Sequence, residues 1–340
     1  MPALFDVRWI GEHGIGRFAR ELDARLGMAP HNPGGAPMSP LDPFKLGMFG
    51  LRAAAGDWLL SPGYNGPIVS RMPFIFTIHD LNHIDRPENS GLDKRLYYRT
   101  VLRRLTRRAR AILTVSDFSR DRIADWFELD RSVVFNVGNG VSEVFSPFGS
   151  RHDAGTDYVL CVSNRRGHKN EPTLLRSFAL ARLPATVALI LTGEPTPELV
   201  SLAASLGIAE RLRFTGRVSE DNLAALYRGA LFLVFPSLYE GFGLPIVEAF
   251  ACGTPVITSN VTSMPEIAAD AALTVDPLNE RSIAFAMDEL YASPALRDDL
   301  AARGRRRAAL YTWDAVAQRV LAAIRTVGIE PNHSAGSILQ

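Results

Sequence analysis

The stretch Ser237-Leu-Tyr-Glu240-Gly-Phe-Gly-Leu-Pro-Ile-Val-Glu248-Ala-Phe-Ala-Cys-Gly-Thr-Pro-Val256 decides how this chain is read. The apolar run Leu231 to Phe235 precedes it, a Gly-Phe-Gly loop lies inside it, and an apolar segment follows. This is the pattern of strand, glycine loop and helix, with seven residues between the two carboxylates Glu240 and Glu248. The amides of Gly241, Phe242, Gly243 and Leu244 would ring a helix N-terminus, a place suited to an anionic or hydroxyl-rich ligand. A carboxylate among such N–H groups stays ionised. Glu240 is therefore expected to accept a hydroxyl or stabilise charge before it donates a proton. Glu248, about two turns further on, need not touch the same group.

Outward from this corner, strands alternate with helices over the whole chain. Leu4–Val7, Trp58–Leu60, Pro73–Ile78, Ala111–Val115 and Ser132–Val137 are strand candidates in the first half. Tyr158–Val162, Val187–Leu191, Leu212–Thr215, Leu231–Phe235, Pro255–Thr258 and Ala272–Val275 follow in the second. Helices are expected between them, among them Arg17–Leu26, a helix starting at 119, Pro172–Ala181, Ile283–Tyr291 and Pro294–Ala309. Such alternation implies parallel sheets with right-handed crossovers. The fold class expected is α/β, with two doubly wound Rossmann-like domains facing across a cleft. The length of 340 residues agrees with two domains. Their expected bounds are 1–149 and 150–312, with helix 313–327 crossing back to the first domain and a frayed tail over 328–340. Residues 27–50, rich in Pro and Gly, read as a long surface loop.

Composition narrows the function. Hydrophobic residues make up 47% and charged residues 21%, as in soluble globular proteins. The formal net charge of +1 gives no global field for nucleic acid, and none is expected as a partner. Two cysteines, Cys161 and Cys252, each in an apolar run, read as reduced core thiols. No signal peptide and no membrane-spanning run are discernible, so a cytoplasmic protein is expected. Leu92–Arg110 reads as one helix with Leu92, Leu96, Leu105 and Ala109 able to face a core, and its residues 94–110 carry eight basic side chains. They read as a solvated cationic face or as a peripheral contact with anionic lipid at the inner face of the cell membrane.

Two further loops look chemical. Arg165, Arg166 and Lys169 follow a strand and read as an anion site, which could neutralise a diphosphate without metal. His79 follows the strand Pro73–Ile78, at the strand end where open α/β sheets bind ligands. The competing reading is a structural histidine satisfied by Asp80. No Asp-x-Asp pair suggests a metal, and none is expected. Gly11-x-x-Gly14-x-Gly16 reads as a glycine loop between the first strand and the Arg17–Leu26 helix, and it is not the dinucleotide fingerprint Gly-x-Gly-x-x-Gly, which argues against a nicotinamide-dependent dehydrogenase.

With these residues in view, the sequence resembles the retaining GT-B glycosyltransferases of family 4. The Glu240 and Glu248 spacing matches that family's paired glutamates. Gly14-Ile-Gly-Arg17, Thr77-Ile-His-Asp80, Thr114-Val-Ser-Asp-Phe-Ser119, Asn139-Gly-Val141, His168-Lys-Asn170 and Thr262-Ser-Met-Pro-Glu266 are similar to family stretches in the same order. The resemblance implies a nucleotide-sugar donor on the C-terminal half and a saccharide or lipid-linked saccharide acceptor on the N-terminal half. It places Glu248 on the ribose hydroxyls, and Glu240 with the amides of 241–244 on the donor sugar. Lys169 with Arg165 or Arg166 would take the diphosphate, and Gly16 would lie against the phosphates. His79 would lie near the anomeric carbon and Arg217-Val218 by the base. Many members carry Arg where this chain has Asn164, so Arg165 or Arg166 would substitute. The Gly-Ile-Gly variant points towards mannosyl transfer from GDP-mannose in surface polysaccharide synthesis. A UDP-hexose or rhamnose-type donor, or a non-catalytic nucleotide-sugar-binding protein, is the alternative. Front-face departure and double displacement both remain open mechanisms.

Overall fold

In the computed structural model, residues 3–11, 14–86, 88 and 90–329 are described. The chain divides into two compact units. One holds the chain up to Gly140 together with the stretch from Trp313 onward, and the other is Val141–Thr312.

The first unit contains β1 (Ala3–Asp6), α1 (Gly14–Leu26), β2 (Ala29–His31), α2 (Asp42–Arg52), β3 (Trp58–Ser61) and β4 (Phe74–Thr77). It continues with α3 (Asn82–Asp85), α4 (Leu92–Tyr97), a π-helical turn (Tyr98–Leu102), α5 (Arg103–Thr106), β5 (Ala111–Thr114), α6 (Asp117–Phe127) and β6 (Val134–Asn136). Six parallel strands lie in the order β2-β1-β3-β4-β5-β6. All four residues of β3, β4 and β5 are buried. That is why these runs are near-continuously apolar: helices cover both faces of a parallel sheet. Ser116 caps α6, its Oγ accepting from the Ser119 amide at 3.0 Å.

The second unit begins with β7 (Tyr158–Cys161), α7 (Glu171–Leu180), β8 (Ala188–Leu191), α8 (Pro197–Ser205), β9 (Leu212–Phe214), α9 (Glu220–Gly229) and β10 (Phe232–Phe235). There follow α10 (Leu244–Cys252), β11 (Val256–Ser259), α11 (Met264–Ala268), β12 (Leu273–Val275), α12 (Glu280–Ala292) and α13 (Pro294–Ala308). Its strand order is β12-β11-β10-β7-β8-β9, all parallel. The order reverses between β7 and β10. Ligands of doubly wound sheets bind at such a point, beyond the carboxyl ends of the two strands.

The last helix, α14 (Trp313–Thr326), belongs to the first unit. The Trp313 ring stands edge-on to Phe18 of α1 at 6.3 Å. A Cβ on Gly140 would fall 2.4 Å from that ring, and Arg319 Nε donates to the Val137 carbonyl at 2.8 Å. Arg25 Nε lies 2.6 Å from Asp314 Oδ1. The Ser146–Ser150 stretch is fastened within the second unit. Arg228 donates to the Ser146 and Ser150 carbonyls at 3.1 and 2.7 Å.

Three expectations need correction. Residues 27–50 are not one loop, because they hold β2 and most of α2. Pro30 is tolerated because β2 is an edge strand, and Pro43 because it lies in the first turn of α2. The segment is also fixed from afar. Arg8 is buried and pairs with both Asp6 and Asp42 at 2.6 Å, and Asn65 donates to Asp42 Oδ2 at 3.2 Å. These two carboxylates hold the Arg8 guanidinium charged despite the burial that opposes its charge. Second, Leu92–Arg110 is not one regular helix facing the core with Leu92, Leu96, Leu105 and Ala109. The π-helical turn shifts the register, so Tyr98, Leu102 and Leu105 are buried while Leu92 and Leu96 are exposed. Third, α1 starts at Gly14, so Gly14-Ile-Gly16 is its first turn and not a loop. The expected frayed tail over 328–340 lies, beyond Ile329, outside the described residues.

Candidate donor and acceptor sites

In the second unit, the loops after β7 and β10 meet at the reversal point. The first carries Lys169, in a 3-10 turn over Gly167–Lys169, and the second carries Glu240. Lys169 Nζ donates to Glu240 Oε1 at 2.7 Å. The ammonium also stands 4.8 Å from the centre of the Phe235 ring, at the end of β10. Backbone bonds lock the loops together. The Leu238 amide donates to the His168 carbonyl at 2.7 Å. Asn170, left-handed at φ 59°, donates from Nδ2 to the Pro236 and Pro277 carbonyls at 3.1 and 2.7 Å.

The glycine loop is built for a tight turn. Gly243 has φ 95°, and an added Cβ would fall 3.1 Å from Ile246 Cδ1. It caps α10, with Pro245 in the first turn. The Phe242 ring is buried and stands edge-on to Tyr311 at 5.4 Å. Leu244 is half-buried and Gly241 buried. A support that sequence reasoning did not single out lies in Thr262 and Ser263. The Glu240 amide donates to Thr262 Oγ1 at 3.2 Å. Buried Ser263 donates towards the Glu240 and Phe242 carbonyls at 2.9 and 3.1 Å. The motif Thr262-Ser-Met-Pro-Glu266 was the available signal.

Glu248 sits within α10 and is buried. Its Oε2 accepts from the Tyr227 hydroxyl at 3.0 Å.

The two arginines of the loop after β7 differ. Arg165, at φ 62°, is turned inward. Its guanidinium pairs with buried Glu171, donates from Nε to the Glu194 carbonyl at 2.7 Å and stacks 5.1 Å from the Phe214 ring. Its charge is paired with Glu171 while Nη2 is buried without a hydrogen-bond partner, and the side chain braces the loop against β8 and β9. Arg166 is exposed, and no ion pair is recorded for it among the described residues. Beyond β9, Gly216 is bridged to Gly193, whose amide donates to the Gly216 carbonyl at 2.9 Å. Exposed Arg217 and half-buried Val218 follow at this edge.

In the first unit, the strand ends of β1, β3 and β4 converge. A Cβ on Gly16 would fall 2.5 Å from the Gly11 carbonyl oxygen, so only glycine fits. Gly63 likewise leaves no room for a side chain beside the Trp9 ring, where a Cβ would fall at 2.4 Å. His79 lies beyond β4 with its Nε2 at 3.0 Å from the Pro62 carbonyl. A carbonyl accepts, so Nε2 carries the proton. The ring also stands edge-on to Phe18, 4.9 Å away. Phe18 follows Gly16 by two residues, which brings these two predicted residues to one edge. Asp80 Oδ1 accepts from the Asn82 amide at 3.0 Å, at the start of α3.

Among the described residues no group of three or more His, Cys, Asp or Glu side chains is placed to hold a metal ion. Both thiols are buried, and burial pushes each up to about 12.

Two doubly wound units with this corner define a GT-B glycosyltransferase fold. The structure of HepE from Anabaena, solved with UDP, superposes with a TM-score of 0.76 at 16% identity, over 96% of this chain and 100% of that one. Residues 145–307 match the model of the glycosyl transferases group 1, and residues 53–144 that of glycosyltransferase family 4. The O-antigen chain mannosyltransferase B of Escherichia coli is 32% identical over 71% of this chain and 67% of its own length. The serotype-specific mannosyltransferase WbdA of Escherichia coli is 27% identical over 61% of this chain, which spans only 27% of that longer protein. The chain belongs to the family 4, group 1 glycosyltransferases.

Proposed function

We propose that this protein is a retaining hexosyltransferase that moves mannose from GDP-mannose onto a saccharide or lipid-linked oligosaccharide of a surface polysaccharide. The observation that carries the reading is the Lys169–Glu240 pair at the reversal point of the second sheet. It sets a cation for the diphosphate beside a carboxylate for the donor sugar, at the N-terminus of α10. The mannosyl donor is supported by the relatives just named.

In this mechanism Lys169 and Arg166 stabilise the charge that develops on the leaving diphosphate. Glu240 and the amides of Gly241, Phe242, Gly243 and Leu244 hold the sugar hydroxyls. Glu248 holds the ribose, Arg217 and Val218 lie by the base, and Arg165 braces the loop. Gly16 lets the backbone approach the phosphates, and His79 acts near the anomeric carbon. The diphosphate takes the acceptor proton as the glycosidic bond forms on the face it leaves. No metal is needed, because the charge is met by these cations. The basic 94–110 segment attracts an anionic membrane.

A thermal-shift panel of GDP-mannose, UDP-glucose and a deoxyhexose nucleotide tests the donor, followed by NMR of the product's anomeric proton. A shift with GDP-mannose and an α-linked product are expected. A shift with UDP-sugars alone would overturn the donor, and an inverted product would overturn retention.

A further inference from the structure

Helix α2 has two faces with different fates. Pro43, Leu46, Gly47 and Gly50 are buried. They seat the helix on Val69–Met72 so closely that a Cβ on Gly47 would fall 2.9 Å from the Val69 carbonyl oxygen. The Pro43 carbonyl accepts from the Ile68 amide at 3.1 Å, and Arg8 holds Asp42 at 2.6 Å. The helix is therefore held rigidly from below. Its other face is a stripe of Leu41, Phe44, Met48 and Leu51, at intervals of three and four residues, each more than half exposed. Four large apolar side chains on one helical stripe are far from the scattered exposed leucines of an ordinary surface.

The exposed charged residues of the 41–71 segment that carries this stripe are all basic. Lys45 and Arg52 lie on α2 itself, and both are exposed. Exposed Arg71 follows Ser70, whose carbonyl accepts from exposed Arg108 at 2.7 Å. The basic run is thereby tied to the segment that carries α2. The acids of residues 41–71 are Asp42 and Asp57. Asp42 is buried against Arg8, and Asp57 accepts from the Ala54 amide at 3.0 Å.

The geometry points to α2 as an interfacial helix that inserts Leu41, Phe44, Met48 and Leu51 into an anionic lipid bilayer, with Lys45, Arg52, Arg71 and Arg108 on the headgroups. A second copy of the chain is a poorer occupant. A two-fold contact through this face would set its cations against their own copies, whereas anionic headgroups pair with them. The surface is independent of which sugar is transferred.

The test is sedimentation of the full chain with vesicles of phosphatidylglycerol and phosphatidylethanolamine, and with phosphatidylcholine alone. Binding to the anionic vesicles is expected, with part of it persisting at about 0.5 M salt because insertion is not screened. The double substitution Phe44→Gln with Met48→Gln removes only exposed side chains. It should lower the partition coefficient roughly tenfold or more, while the thermal shift with nucleotide sugar stays unchanged. Absence of binding by the parent chain would overturn the proposal. So would undiminished binding by the variant, which would leave residues 94–110 as the sole contact. A parent dimer that the substitutions convert to monomer would assign the face to a second copy.

Discussion

Lys169 and Glu240 lie 71 positions apart in sequence, yet the ammonium donates to the carboxylate at 2.7 Å. The pair exists because β7 and β10 are neighbours at the reversal of the strand order, so the loops beyond them share one corner. Each side chain is mostly buried. The cation and carboxylate hold one another in place.

Lys169→Ala should lower kcat by on the order of a hundred- to a thousandfold, as expected for loss of a group that stabilises developing charge. The melting temperature should fall by only a few degrees, because the Asn170 and Leu238 bonds keep the loops joined. Single-turnover rates with a soluble acceptor check this. Unchanged turnover of the folded variant would remove Lys169 from the chemistry.

The two neighbouring arginines should separate cleanly. Arg165→Met strands the buried Glu171 carboxylate, and a loss of roughly 3–5 kcal/mol in urea unfolding is expected. Arg166→Ala should leave stability within about 0.5 kcal/mol and raise the KM for the donor. If Arg165→Met kept its stability and lost only donor affinity, the brace would be reassigned as a ligand.

Gly16→Ala forces a methyl to within 2.5 Å of the Gly11 carbonyl oxygen. Backbone must move to admit it, at a cost of about 1–3 kcal/mol. Donor affinity should fall as well if the first turn of α1 lies against the phosphates. Calorimetric unfolding and donor titration read the two effects separately.

The thiols give a pH signature. Burial raises both Cys161 and Cys252 from about 9 to about 12 in the folded chain. The unfolded chain therefore releases these protons first. Their contribution to stability is complete below about pH 9 and is lost as pH rises towards 12. Each thiol adds a slope of up to about 1.4 kcal/mol per pH unit in that window. Folded protein at pH 8 should resist alkylation, and both thiols should label in denaturant. Rapid labelling of native protein would contradict the burial of both.

The alternation of buried strands and helices was plain in the sequence because each local run carries its own period. Parallel strands buried on both faces are continuous apolar runs, and helices keep one apolar stripe. The chain thus declared an α/β fold and its principal glycine loop. The 92–110 segment was misjudged because a π-helical turn changes register without changing composition. Residues 27–50 misled because prolines that mark a loop in isolation are harmless at an edge strand and in a first helical turn.

The sequence by itself determined which groups are present near the reversal point of the second sheet: two glutamates, a lysine, two arginines and a glycine loop. Only the tertiary structure decided how they are shared out. It joined Lys169 to Glu240, set Glu248 on Tyr227, and turned Arg165 onto Glu171 while leaving Arg166 at the surface. The physical reason is that strand order is a long-range property. Which two loops meet depends on which strands pair, and a buried cation settles on the carboxylate that the fold brings within reach.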